Sequence, residues 1–183
     1  MKILCASLAI LALGCSGPDV RYDYDAKASY AAYHSYDWYA PPPADRPQGP
    51  RSPFMDARVR RAVETELAAR HFQKETAAEP DFLVVYYPVY RVHGSPRGAV
   101  SFGMAFGGFR GPGVGVGVAA PLEGGTRGMV GSIVLEIEDG KTHQLVWKAV
   151  AEDVLDDSAS PEAASQDVTE AVRKMLGRFP PSS

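Results

Sequence analysis

The segment from Asp81 to Val92 constrains the fold of this chain more than any other. It reads DFLVVYYPVYRV, and both alternating sets of side chains are apolar: Phe82, Val84 and Tyr86 in one, Leu83, Val85 and Tyr87 in the other. Successive side chains of a strand point to opposite faces of the sheet, so this strand needs cover on both faces. We therefore predict a central strand here. Because Pro88 has no backbone N–H, we expect it at a bulge or where the strand leaves the sheet.

Other segments have the patterns of further strands that would pair around the central one. The first two are rich in aromatic residues that favour strands, and the third alternates apolar and polar side chains up to an Asp139-Gly140 turn signal, after which a return strand is expected. The predicted strands cover residues 20–24, 33–39, 129–138 and 144–154.

Two amphipathic helices are predicted, and each begins with Ser-Pro, the N-cap and first-turn residues of a helix. Their apolar stripes are Met55, Val59, Ala62, Val63 and Leu67 in the first, with Phe72 closing it, and Ala164, Val168, Val172, Met175 and Leu176 in the second. We expect the second helix to end at Gly177 in the C′ position. The fold class predicted is α+β, with the two helices packed on one face of an antiparallel sheet. A mixed sheet is the alternative, and the element order suggests two related β-β-α halves.

Two segments of unusual composition interrupt these elements. Residues 40–53 are rich in Pro and predict a stiff surface loop. Residues 94–128 hold most of the 18 Gly, and bulky residues alternate with Gly or Ala on both sides of GGFRGPG, which predicts a long glycine-rich hairpin. Two interpretations stay open for its apolar side chains, which are a contact with a partner and cover for the core: Phe102, Met104, Phe106 and Phe109.

The N-terminus has the pattern of a signal peptide over residues 1–14. Lys2 precedes an uncharged apolar run from Ile3 to Leu13, which is shorter than the ~20 residues that span a bilayer. Gly14-Cys15 follows and resembles the lipobox of bacterial lipoproteins, in which the chain is cut before a Cys that is then acylated. The resemblance implies cleavage after Gly14, lipid on Cys15 and a lipidated tether over residues 15–19.

These features predict the cellular location of the protein, and the charge of the chain argues against a nucleic-acid partner. Ser16 stands where Asp resembles an inner-membrane retention signal in enterobacteria, so we expect a lipid-anchored protein of the outer membrane that faces the periplasm. Cys5 leaves with the signal and Cys15 carries lipid, so the mature chain has no free thiol. A net charge of -3 and a pI of about 5.8 argue against a nucleic-acid partner.

Residues 20–181 resemble the DUF4136 family of bacterial lipoproteins, which implies a single α+β domain over this range. The resemblance rests on these segments: VRYDYD at 20–25, YHSYDW at 33–38, the helix DARVRRAVETELAARHF, PDFLVVYY at 80–87, GSIVLEI at 131–137, LVWKA at 145–149 and FPP at 179–181. The sequence departs from the family at His71, where members often have Gly to end the helix. Members are typically uncharacterised, so the resemblance implies a fold and a location in the cell envelope but no activity.

The residues that carry chemistry are scattered. His34, His71, His93 and His143 lack metal-ligand spacing, and no Gly-x-Ser-x-Gly motif marks a nucleophile. Gly115-x-Gly117-x-x-Ala120 is followed at once by Pro121 and not by a helix, so we expect no nucleotide or other cofactor, and no metal.

We therefore expect a non-catalytic envelope lipoprotein that acts as a binding or structural module, with an envelope protein, a glycan or lipid as its partner. The alternative is a periplasmic hydrolase that uses scattered acids such as Asp81, Glu136 or Glu152.

Overall fold

The computed structural model describes residues 17–40, 46, 52–92, 129–156 and 159–181. Six strands, one 3-10 turn and two helices follow one another along the chain. In order they are β1 (Val20–Tyr24), the 3-10 turn (Tyr30–Ala32), β2 (Ser35–Trp38), α1 (Pro53–Ala69), β3 (Gln73–Lys74), β4 (Phe82–Val92), β5 (Met129–Asp139), β6 (Leu145–Asp156) and α2 (Pro161–Leu176).

The strands form one sheet in the order β1-β6-β5-β4-β2-β3. Pairing is antiparallel from β1 through β6 and β5 to β4, and parallel from β4 through β2 to β3. The α+β fold is therefore confirmed, and its sheet is mixed. We call the face that packs on the two helices the inner face and the opposite face the outer face.

β4 occupies the interior position that its sequence predicts, with β5 on one side and β2 on the other. Val84 and Tyr86 are buried on the inner face, and Val85 and Tyr87 are buried on the outer face. β2 pairs only with the first residues of β4, from Phe82 to Val84. Pro88 lies beyond them, opposite Ile133 in a pairing of β4 with β5 that runs without a shift to Val92, so the expected bulge or strand end at Pro88 is wrong. The missing N–H is tolerated because β2 no longer pairs with β4 at this residue.

Both helices begin where the sequence predicts. Ser52 Oγ accepts a hydrogen bond from Met55 N at 3.4 Å, and Ser160 Oγ accepts one from Ala163 N at 3.2 Å. Each cap is followed by Pro in the first turn, where no intrahelical N–H bond is lost. All the predicted stripe residues of both helices are buried, and Ala171 joins them.

The core between helices and sheet is rich in aromatic rings. Phe82 lies at its centre, with ring centroids 5.3 Å from Phe72, 5.4 Å from Phe179 and 5.8 Å from Tyr36. Trp147 is fully buried, 5.5 Å from the Phe179 ring. Phe72 and Phe179 each follow the end of a helix, so these contacts fix both helix ends against the sheet.

Some local predictions need correction. The segment 33–39 is a strand only over Ser35–Trp38, because the 3-10 turn occupies the chain just before it. Gly177 is the C-cap of α2 with a right-handed φ of -59°, so it is not a left-handed C′ residue. The two halves share an element order but not a pairing, since β5 and β6 form a hairpin whereas β1 and β2 are separated by three strands. The predicted hairpin at 94–128 lies outside the described residues.

Candidate functional site: an ion cluster on the outer face

The residues predicted to carry lipid or to contact a partner lie outside the described part of the chain. They are Cys15, the cleavage residue Gly14, and the apolar residues Phe102, Met104, Phe106 and Phe109. What the sequence predicts for them stays a prediction. The acids of the hydrolase alternative are all described, and each has partners.

Asp81 ties the start of β4 to the start of β2. Its Oδ2 accepts hydrogen bonds from His34 N at 2.9 Å, Ser35 N at 2.9 Å and Ser35 Oγ at 3.0 Å. The bond from His34 N, together with those from Ser35, holds the pKa of Asp81 below its ordinary value of 3.8. By accepting from two backbone N–H groups, the Asp81 carboxylate holds the start of β2 beside the start of β4. The same hydrogen bonds lower its pKa, so this carboxylate is a weaker base.

Glu152 belongs to a different contact, on β6. It forms an ion pair with Arg21 of β1, the neighbouring strand, and both side chains are partly exposed. The pair links the edge strand to the sheet. Asp81 therefore bonds to the start of β2, and Glu152 to β1.

Glu136 lies in the middle of β5 on the outer face and is the centre of an ion cluster. We define the cluster as Glu136, Glu138, Lys148, Tyr87 and Arg46. Glu136 is 2% exposed. Its Oε1 accepts from Tyr87 OH at 2.7 Å and lies 2.8 Å from Lys148 Nζ, and its Oε2 accepts from Arg46 Nε at 2.5 Å.

The second acid of the ion cluster shares one of these cations. Arg46 Nη2 lies 3.1 Å from Glu138 Oε1, and Lys148 Nζ lies 3.2 Å from Tyr87 OH. Two carboxylates therefore meet two cations, and their formal charges cancel. The tyrosine hydroxyl donates to Glu136 and accepts from Lys148, so it completes the shell around the carboxylate.

The electrostatics of the ion cluster fix Glu136 in its charged form. Burial alone raises the pKa of this carboxyl, but Lys148, Arg46 and the hydrogen bonds from Lys148 and Tyr87 outweigh it, and the net pKa lies below the ordinary 4.5. A buried carboxylate with a lowered pKa and three donors has little capacity to take a proton. The ion pairs of Arg46 with Glu136 and Glu138 therefore hold residue 46 on the outer face of the sheet.

The described histidines have separate local roles. His34 Nδ1 lies 2.9 Å from Ala32 O, the His143 ring contacts the Tyr39 ring at 5.9 Å, and His71 stands exposed after α1 with a φ of 66°. Within residues 17–40, 46, 52–92, 129–156 and 159–181, no group of three or more His, Cys, Asp or Glu side chains is placed to hold a metal ion.

Sequence reasoning missed four members of the ion cluster: Arg46, Tyr87, Glu138 and Lys148. The alternation of β5 and β6 carries a partial signal, because it places Glu136 and Lys148 on the same face of neighbouring strands. The sequence contains no signal for Arg46, which precedes β5 by a long stretch of chain and reaches it only in the folded molecule.

The family model for a domain of unknown function, DUF4136, matches residues 20–181. The chain therefore belongs to the DUF4136 family, and the resemblance of residues 20–181 to this domain is confirmed. A search of the curated proteins finds no match.

The fold also occurs in a solved structure. A PDZ domain protein from Parabacteroides distasonis matches with a TM-score of 0.56 and 12% identity, over 91% of this chain and 36% of that one. This chain thus spans about a third of that protein, and at this identity the match shows a shared fold alone.

Two structures of PelC dodecamers from Paraburkholderia phytofirmans match more weakly. Their TM-scores are 0.40 and 0.43, with 10% and 11% identity, over 86% and 87% of this chain and 96% and 94% of those chains. Neither match supports an argument about this chain. In the described part of the chain, neither helix combines the length and apolar character needed to cross a bilayer.

Proposed function

We propose that this chain is a lipid-anchored protein of the bacterial cell envelope, in the outer membrane and facing the periplasm, and that its domain serves as a non-catalytic binding module. The observation that carries the proposal is the order of the N-terminal features. An apolar run from Ile3 to Leu13 ends at Gly14-Cys15, and β1 begins at Val20. A signal, an acylated Cys and a short tether therefore lead directly into the folded domain.

The energetics of acylation support a stable anchor. Each buried CH₂ contributes ~0.8 kcal/mol to membrane binding, and one acyl chain holds a protein only reversibly. The three chains of a mature lipoprotein exceed the two signals that stable anchoring needs. The domain would then remain at the membrane without any contact of its own.

Metabolic labelling with a clickable fatty acid tests the anchor in the native host. We expect label on the wild-type chain and its loss in Cys15→Ala, while Cys5→Ala keeps the label because Cys5 leaves with the signal. Label that persists in Cys15→Ala, or an unlabelled wild type, would refute the anchor. Separation of the two membranes of the envelope then tests the outer-membrane assignment.

The non-catalytic assignment is supported by the partners of the described acids. Asp81 is held by two backbone N–H groups, Glu136 by two cations and a hydroxyl, and Glu152 by Arg21. In each case the carboxylate already stabilises the fold. A hydrolase would need one of them free beside a nucleophile or a bound water.

The partner contact is proposed for the glycine-rich segment, from its sequence alone. Phe102, Met104, Phe106 and Phe109 alternate or nearly alternate with small residues, which would place bulky side chains on one side of a hairpin. The partner would be an envelope protein, a glycan or a lipid. Crosslinking in cells tests this: changing these four residues to Ser should remove a crosslinked species, and if every species persists, the segment is not the contact.

A further inference from the structure

Residues 17–19 lie at a fixed place, on the edge formed by β1 and the C-terminal half of α2. A side chain added at Gly17 would collide with Glu170 Oε1 and Lys174 Nζ, so the backbone of Gly17 lies against this pair. Lys174 Nζ donates to Pro18 O at 3.5 Å, and Glu152 N donates to Asp19 O at 2.9 Å. Residues 17–19 are therefore bonded to α2 and β6.

The position of residues 17–19 restricts how a domain anchored through Cys15 can be oriented on the membrane. Cys15 precedes Gly17 by two residues, which span at most about 7 Å even when fully extended. The headgroup layer on each side of a bilayer is about 5–8 Å thick. With acyl chains on Cys15 reaching into the hydrocarbon, Gly17 and the α2 residues beside it must lie within or next to the headgroups.

We propose that the edge around Gly17 is the membrane-facing surface of the domain, and that it contacts anionic phospholipid headgroups. This membrane edge consists of Gly17, Tyr22, Arg173, Lys174 and Arg178. The inference rests on the lipid anchor proposed above and adds the orientation of the domain on the bilayer.

The side chains on the membrane edge suit this contact. Arg173 and Arg178 are exposed, and Lys174 is partly exposed and forms an ion pair with Glu170. Lys and Arg close to a bilayer are attracted by anionic lipids. Tyr22 is 40% exposed, and the Arg178 guanidinium lies over its ring, 5.6 Å from the ring centroid. Tyr is enriched at the boundary between lipid and water, so its exposure here suits a membrane contact.

The same geometry places the other end of the sheet away from the bilayer. β1 and β3 are the two edge strands of the six-stranded sheet. Five spacings of about 4.8 Å separate them, so Lys74 on β3 lies about 24 Å across the sheet from β1. Lys74 is exposed, which makes it a reference position for the experiment below.

Depth-dependent fluorescence quenching tests the orientation on the complete, acylated protein. Because the mature wild-type chain has no free thiol, Arg173→Cys and Lys74→Cys each give one labelling site and each remove one cation. The labelled proteins are placed in phosphatidylethanolamine–phosphatidylglycerol vesicles that contain a headgroup quencher. We expect several-fold stronger quenching at 173 than at 74. Equal quenching, or stronger quenching at 74, would overturn the orientation.

A second pair of variants tests the role of charge. Lys174→Gln with Arg178→Gln removes a Lys that pairs with Glu170 and an Arg that lies on Tyr22. The matched control is Lys74→Gln with Arg60→Gln, which removes a Lys that pairs with Glu64 and an Arg that lies on Trp38. We expect only the first pair to weaken quenching at 173, and only in vesicles with phosphatidylglycerol. An equal effect of both pairs would contradict a headgroup contact.

The two proposals fail in different ways. The mass of the purified chain shows whether Cys15 is acylated, and an unmodified Cys15 refutes the anchor. An acylated chain without the difference between positions 173 and 74 keeps the anchor and refutes the membrane edge.

Discussion

His71 follows the C-cap of α1, at a position where the family resemblance implies Gly, and the structure gives a physical reason for that expectation. His71 has a φ of 66°, in the left-handed region that favours Gly. His71 N donates to Ala68 O at 3.0 Å and Phe72 N donates to Leu67 O at 3.1 Å. These two bonds form a Schellman motif, in which the residue after the C-cap is left-handed.

We predict that His71→Gly stabilises the domain by about 0.5–1 kcal/mol, because Gly adopts this φ without the steric cost of a Cβ. The melting temperature should rise by about 1–4 °C in a thermal scan. Ala69→Gly is the control: it changes the last residue of α1, which is right-handed, and should destabilise by up to about 1 kcal/mol. Destabilisation by both changes would contradict the argument.

The ion cluster gives a second prediction at this scale. Glu136→Gln keeps the shape of the side chain but leaves Lys148 and Arg46 with less negative charge near them. Breaking a buried ion pair from one side costs about 3 kcal/mol, whereas an exposed pair contributes under about 1 kcal/mol. Glu152→Gln, in the partly exposed pair with Arg21, is therefore the matched control.

Urea denaturation of both variants measures the difference. We expect the midpoint to fall clearly in Glu136→Gln and hardly at all in Glu152→Gln. Equal losses would mean that the ion cluster contributes no more than a surface pair.

Only part of this ion cluster could have been predicted. Alternation in β5 and β6 places Glu136 and Lys148 on one face, but a tight Asp139-Gly140 turn gives the wrong register. The observed connection is wider: His143 N donates to Asp139 O at 2.9 Å, and two register shifts interrupt the pairing of β5 with β6. Lys148 comes opposite Glu136 because of this wider turn together with the register shift between Ile137 and Glu138.

At the scale of elements, the helices were the most predictable part because their signals are local. Ser at the N-cap, Pro at the next position and a periodic apolar stripe all act within one segment. β4 was predictable for the same reason, since both of its faces are apolar. β3 was not predicted, because its two residues, Gln73 and Lys74, are a strand only through parallel pairing with β2.

The order of strands depends on contacts between distant segments. β1 lies beside β6, and β2 lies beside β4, although neither pair is adjacent in sequence. The bonds from His34 and Ser35 to Asp81 fix the second of these pairings. No periodicity in the sequence carries this information.

The helix caps give the prediction at this scale. Ser160→Ala should destabilise the domain by about 1 kcal/mol, because Ala163 N loses its side-chain acceptor. Ser160→Asp should retain the stability of the wild type, since a carboxylate accepts the same bond and suits the positive end of the helix dipole. Guanidinium denaturation measures both, and a loss in Ser160→Asp equal to that in Ser160→Ala would rule out the cap as the cause.

At the scale of the whole molecule, the two faces of the sheet have different roles. The inner face holds the helices through apolar and aromatic packing. The outer face holds a smaller apolar cluster around Val85, Tyr87, Val134 and Val150, next to the ion cluster. Stability of the domain therefore depends on buried charge as well as on the core, and this makes it sensitive to pH.

The direction of the acid effect follows from four carboxyls, of which one is on α1, one directly precedes β4 and two are on β5. The pKa values of Glu64, Asp81, Glu136 and Asp139 all lie below their ordinary values of 4.5 for Glu and 3.8 for Asp. The unfolded chain therefore binds more protons than the folded one as the pH falls through these values. Their contribution is complete above about pH 5 and is lost progressively on acidification below it.

Three tyrosines limit the stability of the domain at alkaline pH, because folding raises their pKa values whereas it lowers those of the carboxyls. Burial, together with Glu64 and Asp37 nearby, raises the pKa of Tyr36 from 10.0 to about 12, and burial also raises those of Tyr30 and Tyr33. Above pH 10 the unfolded chain ionises first and is favoured.

We predict a plateau in the urea midpoint between about pH 5 and pH 9, with a fall on both sides. In Glu136→Gln the acid fall should be shallower than in the wild type, because one of the four carboxyls no longer titrates; an acid fall of unchanged slope would mean that Glu136 has the same pKa in both states.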